Sequence, residues 1–97
     1  LAANSEKAYQ HTLVRIEEKI TEAAKLGERT ISYIDDRCSW SVNDYEQQRK
    51  NKPFVQVIIQ RLVNRGFNAR LDQYGPYSVF GDPDGDQHYD MRLYITW

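Results

Sequence analysis

A chain of 97 residues that is 40% hydrophobic and 28% charged has the size and make-up of one folded domain, and is too apolar for a disordered segment. Its formal charge of −1 at pH 7 lacks the positive field that marks most nucleic-acid binders, and it is not acidic enough to mimic DNA. A single cysteine, Cys38, rules out an internal disulfide and with it the stapled framework of a small secreted domain.

Tyr9, Leu13, Ile16, Ile20 and Ala23 or Ala24 recur at helical spacing with charges between them, which predicts an amphipathic helix over 5–26. Asn4 or Ser5 suits its N-cap, and Gly27 is placed to end it in a left-handed turn. Arg29-Thr30-Ile31-Ser32-Tyr33-Ile34 is rich in β-branched and aromatic residues and stops at Asp35-Asp36-Arg37, so 29–34 reads as a strand. Beyond it, Ser39 or Ser41 could cap a short helix through Val42, Tyr45 and Gln48, which Asn51-Lys52-Pro53 should break. Pro53 fits the first turn of a new helix, where its missing N–H would have no partner in any case. Phe54, Val55, Ile58, Ile59, Leu62 and Val63 give this helix, 53–65, a broad apolar face. Gly66 follows as a cap, with Phe67 reaching back onto the last turn.

The final third reads as strands. Phe67, Ala69 and Leu71 alternate with Asn68, Arg70 and Asp72, a Tyr74-Gly75-Pro76 turn follows, and Tyr77-Ser78-Val79-Phe80 resumes the strand pattern. After a polar loop at 81–87, Tyr89, Met91, Leu93, Ile95 and Trp97 alternate with His88, Asp90, Arg92, Tyr94 and Thr96, the period of a half-buried strand. The expected fold is α+β, a single domain over 1–97. It comprises a mostly antiparallel sheet of about four strands with two main helices packed on one face. The expected order is helix, strand, helix, strand, strand, strand.

The pattern resembles that of small α/β proteins encoded by tailed bacteriophages. The resemblance is carried by the helix ending in Ala23-Ala24-Lys25-Leu26-Gly27 and the strand 29–34. It continues through Val57-Ile58-Ile59-Gln60-Arg61-Leu62-Val63-Asn64-Arg65-Gly66-Phe67 and Leu93-Tyr94-Ile95-Thr96-Trp97. It implies a virion component or a host-directed accessory factor, and so binding to a protein, self or host, rather than catalysis. The element order also resembles a winged helix, with 53–65 as recognition helix and 72–90 as wing. That helix is too apolar to enter a groove, and the wing carries Asp72, Asp82, Asp84, Asp86 and Asp90 with no Lys or Arg to meet phosphates.

Asp82, Asp84, Asp86 and Asp90 stand at positions 1, 3, 5 and 9 of an acidic loop, the spacing at which a wrapped backbone can bring oxygens around Ca²⁺. The loop resembles those of EF-hands, with departures: Gln87 stands where the sharp turn needs Gly, and Leu93 where a bidentate Glu belongs. The alternative is a plain hairpin connection, for which Asp, Pro and Gly are the usual turn formers. Charge is also segregated: six basic residues and no acid lie between 49 and 70, five aspartates and no base between 72 and 90. Patches of this kind can meet complementary surfaces, including those of further copies of the chain, or can simply be solvated charges.

If the apolar side of the last strand faces the helices, Arg92 and Tyr94 face away from them, together with Arg70, Tyr74 and Phe80. Arginine mixed with aromatic rings is the composition of protein interfaces, and such a face can also stack bases. These five residues are the candidate protein-binding set. Arg37-Cys38-Ser39-Trp40 matches no nucleophile motif, and the chain has neither a phosphate-binding glycine loop nor Cys/His clusters at zinc spacing. The expectation is therefore a non-enzymatic interaction module without an obligatory cofactor, in which a homo-oligomer is one possible assembly. No stretch approaches the roughly 20 apolar residues of a membrane span, and Leu1-Ala2-Ala3-Asn4 lacks a signal-peptide core. The expected compartment is cytoplasmic, either a host cytoplasm or a particle assembled there, and the start at Leu1 points to residues upstream.

Overall fold

The computed structural model describes the backbone of residues 2–78 and 87–97 and the side chains of 6–75 and 89–97. The first helical stripe does what its spacing requires. Leu13, Ile16, Ile20 and Ala23 are buried along helix α1 (Ala2–Lys25), with Tyr9 packed at their edge. Gly27, at φ 82°, ends the helix. The Glu28 N–H donates to Ala23 O and the Gly27 N–H to Ala24 O, the paired bonds of a left-handed glycine cap.

Strand β1 (Thr30–Tyr33) follows, then a loop, then the two-residue strand β2 (Trp40–Ser41). The loop is shaped by Asp35. Its Oδ1 accepts from the N–H groups of Arg37 and Cys38 at 2.8 and 2.7 Å, while its carbonyl accepts from Ser39 Oγ at 2.8 Å. This turn drives Cys38 into the core, where it is fully buried, and sets Trp40 down beside it at 6% exposure.

Three expectations for the middle of the chain are corrected. Neither Ser39 nor Ser41 caps a helix, because the segment there is β2. The cap is Asp44, whose side chain accepts from the Gln47 N–H at 3.0 Å. From it helix α2 runs unbroken over Tyr45–Asn64, so Pro53 lies inside it and does not start it. Proline there deprives the Arg49 carbonyl of its helical donor. Pro53 is exposed, so water can serve that carbonyl. On the preceding turn, buried Asn51 donates to Asp36 O at 3.0 Å and pins the helix to the Asp35 loop. Burial of Val55, Ile58 and Leu62, all at 0% exposure, outweighs a penalty of about 3 kcal/mol for an interior proline. Val63, assigned to the apolar face, is instead 48% exposed. Gly66, at φ 96°, closes α2 as expected, with Phe67 N–H donating to Leu62 O and Gly66 N–H to Val63 O.

The fourth correction is at Tyr74-Gly75-Pro76, which is not a turn. Strand β3 (Asn68–Ser78) runs through it beside β4 (Gln87–Thr96), and the register slips between Tyr74 and Tyr77: Tyr74 pairs with Asp90, and Tyr77 with His88. One extra residue on β3 makes a β-bulge, where a strand tolerates Gly at φ 136° and Pro without ending.

The described strand pairs are all antiparallel, in keeping with the mostly antiparallel sheet expected, but the fourth strand comes before α2, giving the order α1, β1, β2, α2, β3, β4. Strand β4 is central. β3 lies along one of its edges, while β1 and β2 share the other end to end, β1 opposite 93–96 and β2 opposite 90–91. Both helices pack on the face that carries Leu93 and Ile95, each at 0% exposure, with Met91 and Trp97 at its margin. The helices are tied to each other by a Tyr9–Phe54 ring contact at 5.0 Å, by Arg61 bridging both oxygens of Glu6, and by an ion pair between Arg65 and Glu17. Two-layer packing of this kind leaves the other sheet face bare.

Candidate interaction surface

Alternation along β4 decides what the bare face carries. With Leu93 and Ile95 in the core, Asp90, Arg92, Tyr94 and Thr96 stand on the far side. The β3 register adds their neighbours: Tyr74 is opposite Asp90, Asp72 opposite Arg92, and Arg70 opposite Tyr94. On the other edge the partners are small, Ser41 opposite Asp90 and Ser32 opposite Tyr94. Four of the five candidate residues, Arg70, Tyr74, Arg92 and Tyr94, therefore meet on one open face. The fifth, Phe80, lies outside the described residues.

The four are joined as two arginine–tyrosine pairs. The Arg92 guanidinium lies 3.8 Å from the Tyr74 ring centre, and that of Arg70 lies 5.1 Å from the Tyr94 ring centre. Each arginine also has a carboxylate two residues away on its own strand, Arg92 with Asp90 at 3.5 Å and Arg70 with Asp72 at 3.3 Å. The two halves of the face differ in depth. Arg92 and Asp90 are 22% exposed, whereas Arg70 and Asp72 are 68% and 52% exposed, and Tyr74 is 54% exposed. Two positive and two negative side chains balance, so the face has shape and ring surface but little net field.

Of the proposed calcium ligands, Asp82, Asp84 and Asp86 lie outside the described residues. Asp90 sits in β4, on the open face beside Arg92. Among the described residues no group of three or more His, Cys, Asp or Glu could hold a metal ion.

The basic stretch 49–70 is less of a patch than its composition suggests. Arg61 and Arg65 are engaged with Glu6 and Glu17 of α1, and the Arg61 guanidinium also lies 5.0 Å from the Tyr9 ring centre. The bonds from Arg61, helped by one from Gln10, hold the Glu6 carboxyl down at about 2. Cys38 is fully buried, and burial, then the neighbouring Asp35 carboxylate, push its thiol well above the usual range. A protonated, enclosed thiol is a poor nucleophile.

One concavity escaped the sequence reading. A cleft of about 590 Å³ opens between α1 and the segment after β1, lined in part by Lys7, His11 and Arg15 on one side and Asp35, Asp36 and Arg37 on the other. Lys7, His11 and Arg15 follow one another at four-residue spacing, a signal visible in the sequence. Their position against the Asp35 loop is set by tertiary packing. The charges in this cleft are mixed, Lys7, Arg15 and Arg37 against Asp35 and Asp36. Among the described residues, no helix is long and apolar enough to cross a membrane. No protein-family model matches the sequence, no curated protein matches it, and no solved structure matches the fold.

Proposed function

We propose that the chain is a non-enzymatic protein-interaction module whose contact surface is the open sheet face built on Arg70, Tyr74, Arg92 and Tyr94. The observation that carries this reading is the pairing of two arginines with two tyrosines on a face that neither helix covers. Planar guanidinium groups resting on rings offer apolar area together with directed N–H donors, the mixture enriched at protein contacts. The charge balance favours a protein over a nucleic acid. Asp72 and Asp90 offset the two arginines, so phosphates would gain little from release of their counterions. A role as virion component or host-directed accessory factor of a tailed phage is the setting we propose on the sequence resemblance.

Arg92→Glu combined with Tyr94→Ala tests the surface. The double variant should keep its circular dichroism and cooperative unfolding while losing affinity for the partner. Unchanged affinity in the folded double variant would move the interface elsewhere, with the basic stretch 49–70 the next place to look.

A further inference from the structure

The sheet has one long unpaired edge. Among the described residues β3 pairs with β4 alone, so the far edge of β3 carries backbone N–H and C=O groups with no strand beside them. The opposite side of the sheet offers only the four residues of β1 and the two of β2. Folded chains usually protect such an edge with proline, lysine or a bulge. In β3 the bulge and Pro76 come only after Tyr74, which leaves 68–74 regular, with neither Pro nor Lys among them.

The sequence of that regular segment is complementary to itself. Its midpoint is Leu71, flanked by Arg70 and Asp72. An antiparallel copy centred on Leu71 would set Arg70 opposite the partner's Asp72 and Asp72 opposite the partner's Arg70, both on the open face. On the helix face, Leu71 would meet the partner's Leu71. Leu71 is only partly buried although it stands on the core side, so this contact would complete its burial. Asn68 would meet the partner's Tyr74, next to a cleft of about 410 Å³ that runs over the start of β3 between exposed Val63 and Tyr94.

We propose that β3 is a homodimer edge, at which two copies pair in antiparallel register about Leu71 to form one continuous sheet. The contact is isologous, as a two-fold axis requires, and closes after two copies. It joins the two open faces side by side, which doubles the surface proposed above without depending on it.

Sedimentation velocity over a concentration series tests the pairing. The wild type should dimerise, weakly for so narrow a contact. Arg70→Asp sets carboxylates opposite each other twice, and Asp72→Arg does the same with guanidinium groups, so each single variant should be monomeric. An equimolar mixture of the two restores opposite charges at both positions and should dimerise, which also shows that both variants are folded. A wild type that stays monomeric up to about 1 mM would overturn the proposal, including the case in which a different protein occupies the edge. Single variants that dimerise as well as the wild type, or a mixture of folded variants that stays monomeric, would overturn it equally. The face variant at Arg92 and Tyr94 changes no residue of β3, leaves Arg70 and Asp72 to pair across the two-fold, and should still dimerise, so failure here and failure of the interaction surface are told apart.

Discussion

Arg92 and Tyr74 are diagonal neighbours across the β3–β4 register, and the guanidinium lies 3.8 Å from the ring centre. Tyr74 is the last β3 residue before the bulge, so the contact fixes the ring just where the strand begins to bend. With its side chain 22% exposed, Arg92 gains more from a ring than a fully solvated cation would. Arg92→Lys keeps the charge but loses the flat stacking surface. It should cost about 1 kcal/mol in chemical denaturation, and a double-mutant cycle with Tyr74→Ala should return most of that loss as coupling energy.

Pro53 leads to a gain. It sits inside α2 with its ring exposed and removes one helical hydrogen bond, so the helix persists in spite of it. Pro53→Ala restores the Arg49 carbonyl's partner and should raise stability by about 1–3 kcal/mol, read as a higher urea midpoint with the slope unchanged. A lower midpoint would mean that the proline ring contributes a contact of its own.

The Glu6–Arg61 bridge yields a pH signature. The Glu6 carboxyl falls from its ordinary 4.5 to about 2 in the folded chain. A depressed carboxylate contributes stability that is present in full above 4.5 and is lost as pH falls through 2. Glu6→Gln should therefore remove part of the stability lost between pH 4.5 and 2 and leave the slope above pH 5 unchanged. Because the pair is exposed, added salt should shrink the difference between the two proteins. Thermal unfolding at several pH values and two salt concentrations checks both statements.

Calcium separates the interaction reading from its rival. With no obligatory metal, the melting temperature should not move in millimolar Ca²⁺. A rise that Asp84→Asn and Asp86→Asn abolish together would assign the acidic loop as a metal site.

Elements that depend on local chemistry were legible in the sequence. The stripe Leu13, Ile16, Ile20 marked α1, Gly27 and Gly66 marked both helix ends, and the alternation of Leu93 and Ile95 with Arg92 and Tyr94 marked which side of β4 meets the core. What failed were positions where tertiary packing outweighs a local signal. Pro53 normally breaks a helix, but Val55, Ile58 and Leu62 bury enough surface to carry the helix past it. Gly75-Pro76 normally turns a chain, but the long pairing with β4 absorbs both residues in a bulge. β2 has two residues and no period to detect, and only its pairing with Met91 and Asp90 defines it. The open face was legible because a two-residue period fixes sides. The joining of Arg92 to Tyr74 was not, since it depends on the β3–β4 register.

Affinity capture from a lysate of the organism in which the chain occurs, with three baits compared in parallel, tests the central claim most directly. The baits are the wild type, the Arg92→Glu/Tyr94→Ala variant, and Glu18→Lys on the exposed side of α1 as a control. The open-face account predicts a partner retained by the wild type and the control and lost from the face variant, with all three baits equally folded. Retention of the same partner by the face variant, its loss from the α1 control, or no partner on the wild type would contradict it.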